Sequence, residues 1–94
     1  MKILITPGAA AEVRSLPSPA KHRLKKAILA LGDDPKGLRG SGAKRLATSS
    51  TRPQLYRMRH GDWRIAYLVH GDRIEVVRVF HRSEGYGWLE RLGY

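Results

Sequence analysis

Cysteine is missing from all 94 residues, so neither a disulfide nor a thiolate metal site holds this chain together. A chain of this length buries only a modest share of its unfolded surface, so stability has to come from one compact apolar core, helped by a bound partner. Long apolar runs are missing too. No stretch approaches the ~20 residues of a membrane span. The opening Met1-Lys2-Ile3-Leu4-Ile5-Thr6-Pro7 is too short in its apolar part to read as a secretory leader. A cytoplasmic protein that does not enter membrane is expected. There is no glycine-rich phosphate loop of the dinucleotide or P-loop kind, and Arg39-Gly40-Ser41-Gly42 reads as a flexible loop. His22, His60 and His70 do not fall at metal-ligand spacing, so no metal or cofactor is expected. Acids are scarce: 8 against 18 lysines and arginines, a formal charge of +10. The sequence pI of 10.7 passes the ~9 at which a domain's charge becomes a nucleic-acid footprint. Anionic membrane and an acidic protein are the other polyanions that would fit. Such a charge speaks to partners, not to fold.

What is present reads as one α+β domain over residues 1–94. Lys2 to Ile5 is a short β-branched run ended by Pro7-Gly8, hence an N-terminal strand. Ala10, Val13 and Leu16 are three apart, as in a short amphipathic helix over Ala9 to Leu16. Pro17-Ser18-Pro19 breaks it, with Ser18 placed to cap a second helix and Pro19 suited to that helix's first turn. Ala20, Leu24, Ala27, Ile28 and Leu31 make one apolar stripe on this second helix, and Gly32 follows where a C-terminal cap belongs. The two helices form an antiparallel hairpin. Asp33 to Arg52 reads as a long connection with Leu46 as its core anchor. From Leu55 the period becomes two: Leu55 to Arg59, Trp63 to Val69 and Arg73 to Phe80 are strands. His60-Gly61-Asp62 and His70-Gly71-Asp72 join them as tight turns with glycine at positive φ. A three-stranded antiparallel meander results, with a short helix expected between Gly85 and Tyr94. One sheet face is expected on the helices and the other open to solvent or ligand.

Alternation puts Arg57 and Arg59 on one face of their strand and Arg64 opposite Trp63, Ile65 and Tyr67 on the next; Arg78 is expected to share a face with Ile74, Val76 and Phe80. Three planar guanidinium forks on an open face make a phosphate-gripping surface. The connection adds Lys36, Arg39, Lys44, Arg45 and Arg52. Asp62 is the only acid between Lys36 and Arg64. A solvated face kept soluble by charge is the plainer alternative, although interspersed acids would then be expected. After the last strand comes His81-Arg82-Ser83-Glu84-Gly85-Tyr86. An imidazole carries a proton near neutral pH, and a phenol donates or accepts one or stacks on a base. Beside the arginines these are parts for RNA cleavage: activation of a ribose 2′-OH, offset of charge at phosphorus and protonation of the leaving 5′ oxygen. The other reading of the same residues is that His81 closes a strand end and Tyr86 is an aromatic lid.

Leu55-Tyr56-Arg57-Met58-Arg59-His60-Gly61-Asp62-Trp63-Arg64-Ile65-Ala66-Tyr67 resembles the sheet signature of the RelE/ParE toxin superfamily, and His81-Arg82-Ser83-Glu84-Gly85-Tyr86 its closing His-Arg-x-x-x-Tyr. The helical hairpin and the basic Lys44-Arg45-Leu46 also fit, so the likeness covers nearly the whole chain. The resemblance implies a RelE-like fold and the toxin of a type II toxin–antitoxin system. Its RelE-like branch consists of ribosome-dependent mRNA endoribonucleases that use metal-independent 2′-OH transesterification and arrest translation. On that reading Arg64, His81, Arg82 and Tyr86 carry catalysis, while Lys44, Arg45, Arg57 and Arg59 bind RNA phosphates. Some members carry lysine where this chain has Arg57 and Arg59, which shifts the proton transfer toward His81 or Tyr86. The implied partners are a cognate antitoxin in a hetero-oligomer, the ribosome and mRNA. The ParE-like branch shares the fold, inhibits DNA gyrase and is not a nuclease. A basic domain that binds RNA or the ribosome without cutting is the third reading.

Overall fold

The computed structural model describes residues 1–47 and 53–92. Strand β1 (Lys2–Ile5) leads into helix α1 (Pro7–Arg14) and helix α2 (Ser18–Ala30), which ends in a 3-10 turn at Leu31–Asp33. Then come β2 (Ala43–Ala47), β3 (Gln54–His60), β4 (Trp63–Val69) and β5 (Arg73–His81). Two further 3-10 turns follow, Arg82–Glu84 and Gly87–Leu92. The α+β class expected from the sequence is the one observed. Among the described residues no helix is long and apolar enough to cross a membrane.

The helices start differently from the expectation. Thr6 caps α1, its Oγ1 accepting from the Ala9 N–H at 3.2 Å, and Pro7 occupies the first turn, where a missing N–H costs nothing. Pro7 therefore opens a helix as well as ending a strand. Ser18 lies inside α2, and Pro17 stands at its N-cap without a side-chain bond. The expected stripe holds at Leu24, Ile28 and Leu31, all buried.

The sheet has five strands in the order β1-β5-β4-β3-β2, with β1 parallel to β5 and the other pairs antiparallel. The expected meander forms its centre. The added strand β2 lies in the stretch read as a connection. Among the described residues it has a neighbour on one side only, so its sequence is not pressed into apolar alternation. Leu46 does pack into the core, as expected. Arg52 and the chain end at Gly93 and Tyr94 lie outside the described residues. The expected C-terminal helix is a 3-10 turn over Gly87–Leu92.

Two apolar clusters sit on opposite faces. Val13, Leu24, Ile28 and Leu31 pack with Met58, Ile65, Tyr67, Ile74, Val76 and Val79 under the helices. Leu55, Ala66, Phe80 and Trp88 form the second cluster, with Leu46, Tyr86, Leu89 and Leu92 against it. The far face is thus not simply open, because the C-terminal turn covers part of it.

A bulge corrects the reading of β5. Ala66 pairs with Arg78 but the next residue, Tyr67, pairs with Val76, so Val77 is extra. Ile74 and Val76 consequently face the helices, whereas Arg78, paired with Ala66, and Phe80, paired with Arg64, face away, so Arg78 shares a face with Phe80 as expected but not with Ile74 and Val76. The turns also differ. Gly61 has φ 60°, as a tight hairpin requires, whereas Gly71 does not adopt positive φ.

Candidate nucleic-acid interface

The register assembles the cations strand by strand. Lys44 on β2 pairs with Arg57 on β3, and Arg59 pairs with Arg64 on β4, all four on the face away from the helices. Arg64 in turn pairs with Phe80 on β5. The Tyr86 ring meets Phe80 edge-on at 5.5 Å, and Trp88 meets it at 5.3 Å. The result is a basic surface ending in an aromatic wall.

The Arg57 Nη1 is buried and has no hydrogen-bond partner among the described residues. A guanidinium nitrogen left so in a protein interior is destabilising, and such a group calls for an explanation in function. Two further cations, Arg64 and Arg82, are tied to the β3–β4 turn. Arg64 folds back so that its Nη1 donates to the carbonyls of Gly61 and Trp63 at 2.8 and 2.9 Å. Arg82, just past β5, donates its backbone N–H to the Asp62 carbonyl at 2.8 Å, and its Nε lies 3.3 Å from the Asp62 carboxylate. One hairpin tip thereby holds both Arg64 and Arg82. Asp62 was not singled out for a role from the sequence, although its isolation among cations was the signal. The repeated motif does not repeat the function, since among the described residues Asp72 makes only an exposed 3.7 Å pair with Arg73.

Two of the expected site residues stand apart. His81 pairs with Trp63, and their rings meet edge-on at 5.3 Å on the helix-side face. Its Nδ1 accepts from the Ser83 N–H at 3.2 Å and lies 2.8 Å from the Ser83 hydroxyl, so it caps the turn at Arg82–Glu84. Arg45 pairs with Tyr56, which also places it on the helix side, exposed.

The loop before β2 is tightly built. Burial works to raise the Asp34 pKa, but backbone N–H bonds from Ser41 and Arg39, the Ser41 hydroxyl and the Leu38 N–H outweigh it and hold the carboxyl below its ordinary value. The Tyr67 hydroxyl donates to the Pro35 carbonyl at 2.6 Å. Burial, with the neighbouring Tyr56 and Asp34, pushes the Tyr67 pKa well above the tyrosine range. Among the described residues no group of three His, Asp or Glu gathers as a metal site would require.

Residues 3–86 match the family model of the ParE toxin of type II toxin–antitoxin systems, parDE. The chain belongs to this toxin family. No curated protein matches the toxin in sequence. Its fold is shared with solved structures of the RelE/ParE superfamily. The archaeal RelE–RelB complex from Pyrococcus horikoshii has 23% identity and a TM-score of 0.74, covering 89% of this chain and 97% of that one. The RelBE2 toxin–antitoxin complex from Mycobacterium tuberculosis has 21% identity and a TM-score of 0.70, with 86% and 96% covered. The YoeB/ParE toxin from Agrobacterium tumefaciens has 17% identity and a TM-score of 0.65, with 86% and 98% covered. At these identities the likeness is one of fold, and the toxin's chemistry has to be argued from its own side chains.

Proposed function

We propose that this toxin is a ribosome-dependent mRNA endoribonuclease of the cytoplasm, held inactive by a cognate antitoxin in a hetero-oligomer. The observation that carries the reading is the register pairing of Lys44 with Arg57 and Arg59 with Arg64 beside the Phe80–Tyr86 contact. A single RNA strand laid across that face would meet phosphate donors from three strands and a ring against which a base can stack.

The chemistry follows from which groups share the face. The ribose 2′ oxygen attacks the adjacent phosphorus and the bond from phosphorus to the 5′ oxygen breaks, leaving a 2′,3′-cyclic phosphate and a 5′ hydroxyl. Arg57, Arg59, Arg64 and Arg82 offset the charge that grows on the phosphoryl oxygens, with Lys44 on a flanking phosphate. Guanidiniums stay protonated and do not take the 2′ proton, which passes to water. Tyr86 stands on the cationic side and donates a proton to the leaving 5′ oxygen. His81 is turned toward Trp63 and serves the strand end, so this reading gives it no direct part in the chemistry, and Arg45 none in binding RNA at this face.

Gyrase inhibition is the second reading, and the ParE description of the matching family favours it. The form of growth arrest on induced expression distinguishes the two. Translation arrest with cut mRNA and no DNA damage response is expected. DNA breaks with an induced damage response and intact mRNA would reject the nuclease in favour of the gyrase inhibitor. Co-expression of the neighbouring gene's product is expected to restore growth.

A further inference from the structure

Arg78 shares the sheet face of the cations, in the row that runs from Arg57 through Ala66, but its bonds point to a different task. Strand β1 covers β5 only as far as Val76, where Thr6 donates to the Val76 carbonyl at 3.0 Å. Beyond that point the edge of β5 would be bare. Glu12 of α1 fills it: its Oε1 accepts from the Val79 N–H at 2.9 Å. Arg78, one residue past the bulge at Val77, reaches this same carboxylate. Its Nε and Nη2 donate to Glu12 Oε2 at 2.9 and 2.7 Å. Nη2 also donates to Glu84 Oε2 at 2.7 Å. The guanidinium lies 5.4 Å from both the Phe80 and the Trp88 ring centres. Burial works to lower its pKa, but the bonds and charges of Glu12 and Glu84 outweigh that and hold it cationic.

We propose that Arg78 is a positioning residue: it clamps Glu84 to Glu12 and thereby fixes the turn that carries Arg82 and Tyr86 against the cationic face. The role in cleavage rests on the nuclease reading above; the clamp on the turn does not. Glu84 lies two residues from each of Arg82 and Tyr86. The turn is already tied at its start by the Asp62 carbonyl on the Arg82 N–H and by His81 on Ser83. Gly85, at φ 74°, supplies no restraint of its own. At the end of the turn Glu84 bonded to Arg78 is the ionic tie, beside the Trp88 indole N–H on the Gly85 carbonyl at 3.0 Å and the Tyr86 ring against Phe80. Arginine suits it because one planar fork reaches two carboxylates at once, which a lysine ammonium does not reproduce with the same geometry.

The test uses the full chain released from its antitoxin, as wild type, Glu84→Gln and Arg78→Lys. Glu84 is about half exposed, so Glu84→Gln leaves the global melting temperature nearly unchanged. Amide exchange at Ser83 to Tyr86 is expected to rise on the order of tenfold while the amides of β3 and β4 keep their protection. Displacing Arg82 and Tyr86 lowers the rate of ribosome-bound mRNA cleavage by tenfold to about a hundredfold, with ribosome affinity within about twofold. Added to Tyr86→Phe, Glu84→Gln is expected to cost less than it does alone, because the share that acts through the Tyr86 hydroxyl is already lost and only the share through Arg82 remains. Unchanged exchange at Ser83 to Tyr86 in both variants would overturn the clamp, whether or not the wild type cuts RNA. Raised exchange in a wild-type background that cuts no mRNA upholds the clamp and rejects the nuclease. Raised exchange with an undiminished cleavage rate overturns the positioning role.

Discussion

At the scale of single residues, Arg57 separates function from stability most sharply. Its Nη1 is buried without a hydrogen-bond partner among the described residues, which an apolar side chain of similar length would relieve. Arg57→Met is expected to leave the fold as stable or to stabilise it by about 1 kcal/mol, while cleavage falls on the order of 10²–10³-fold. Chemical denaturation beside an in vitro cleavage assay checks both halves. A variant that is less stable and equally active would assign Arg57 to the fold. The arginines of the site were legible in the sequence because period-two alternation fixes their faces. The surroundings of His81 were not. Its strand position is alternation again, but the match of a motif directs attention to the residue type, and only the register with Trp63 reveals which side the imidazole takes. The face that Arg78 shares with Phe80 was legible, but its extension to Ile74 and Val76 failed for a related reason: alternation assumes no inserted residue, and the bulge at Val77 leaves no mark in the residue types around it.

Among the elements, the loop between α2 and β2 is built more rigidly than its composition suggests. Gly37 has φ 74°, and a Cβ there would come 2.2 Å from the Ala43 carbonyl oxygen. Gly37→Ala is expected to destabilise the fold by roughly 1–3 kcal/mol, read as a lowered denaturation midpoint. An unchanged midpoint would mean that the loop yields freely. Tyr67 anchors the same loop through Pro35, and its raised pKa sets an alkaline limit. The native phenol stays neutral where the unfolded one ionises. Its contribution is therefore complete below about pH 10 and is lost as the pH climbs from there toward the native value. Denaturation midpoints taken above pH 10 are expected to fall less in Tyr67→Phe than in the wild type; equal slopes would show that the bond does not govern the alkaline limit. The helices and the central meander were legible because each buries a periodic face. Strand β2 was not, because an edge strand of Lys44-Arg45-Leu46 shows neither alternation nor a β-branched run. Nor did the sequence reveal that β1 runs parallel to β5, since that pairing is a matter of how the chain returns past the helices.

For the molecule as a whole, charge and architecture point the same way. The helices cover one side of the sheet, and the other carries more cations than acids. Lys44, Arg57, Arg59, Arg64 and Arg82 form one surface with Asp62 as an internal tether. If each neutralises a phosphate, the logarithm of RNA affinity falls against log salt with a slope of about −3.5, at about −0.7 per contact on a single strand. A slope shallower than about −1 would contradict phosphate-led binding. Mapping of mRNA 5′ ends in cells expressing the wild type, Arg64→Ala or Tyr86→Phe tests the central claim most directly. New 5′-hydroxyl ends at fixed codon positions are expected with the wild type, and they should be lost with both variants while each still folds and binds the antitoxin. Wild-type cells that stop growing with their messages intact would contradict it.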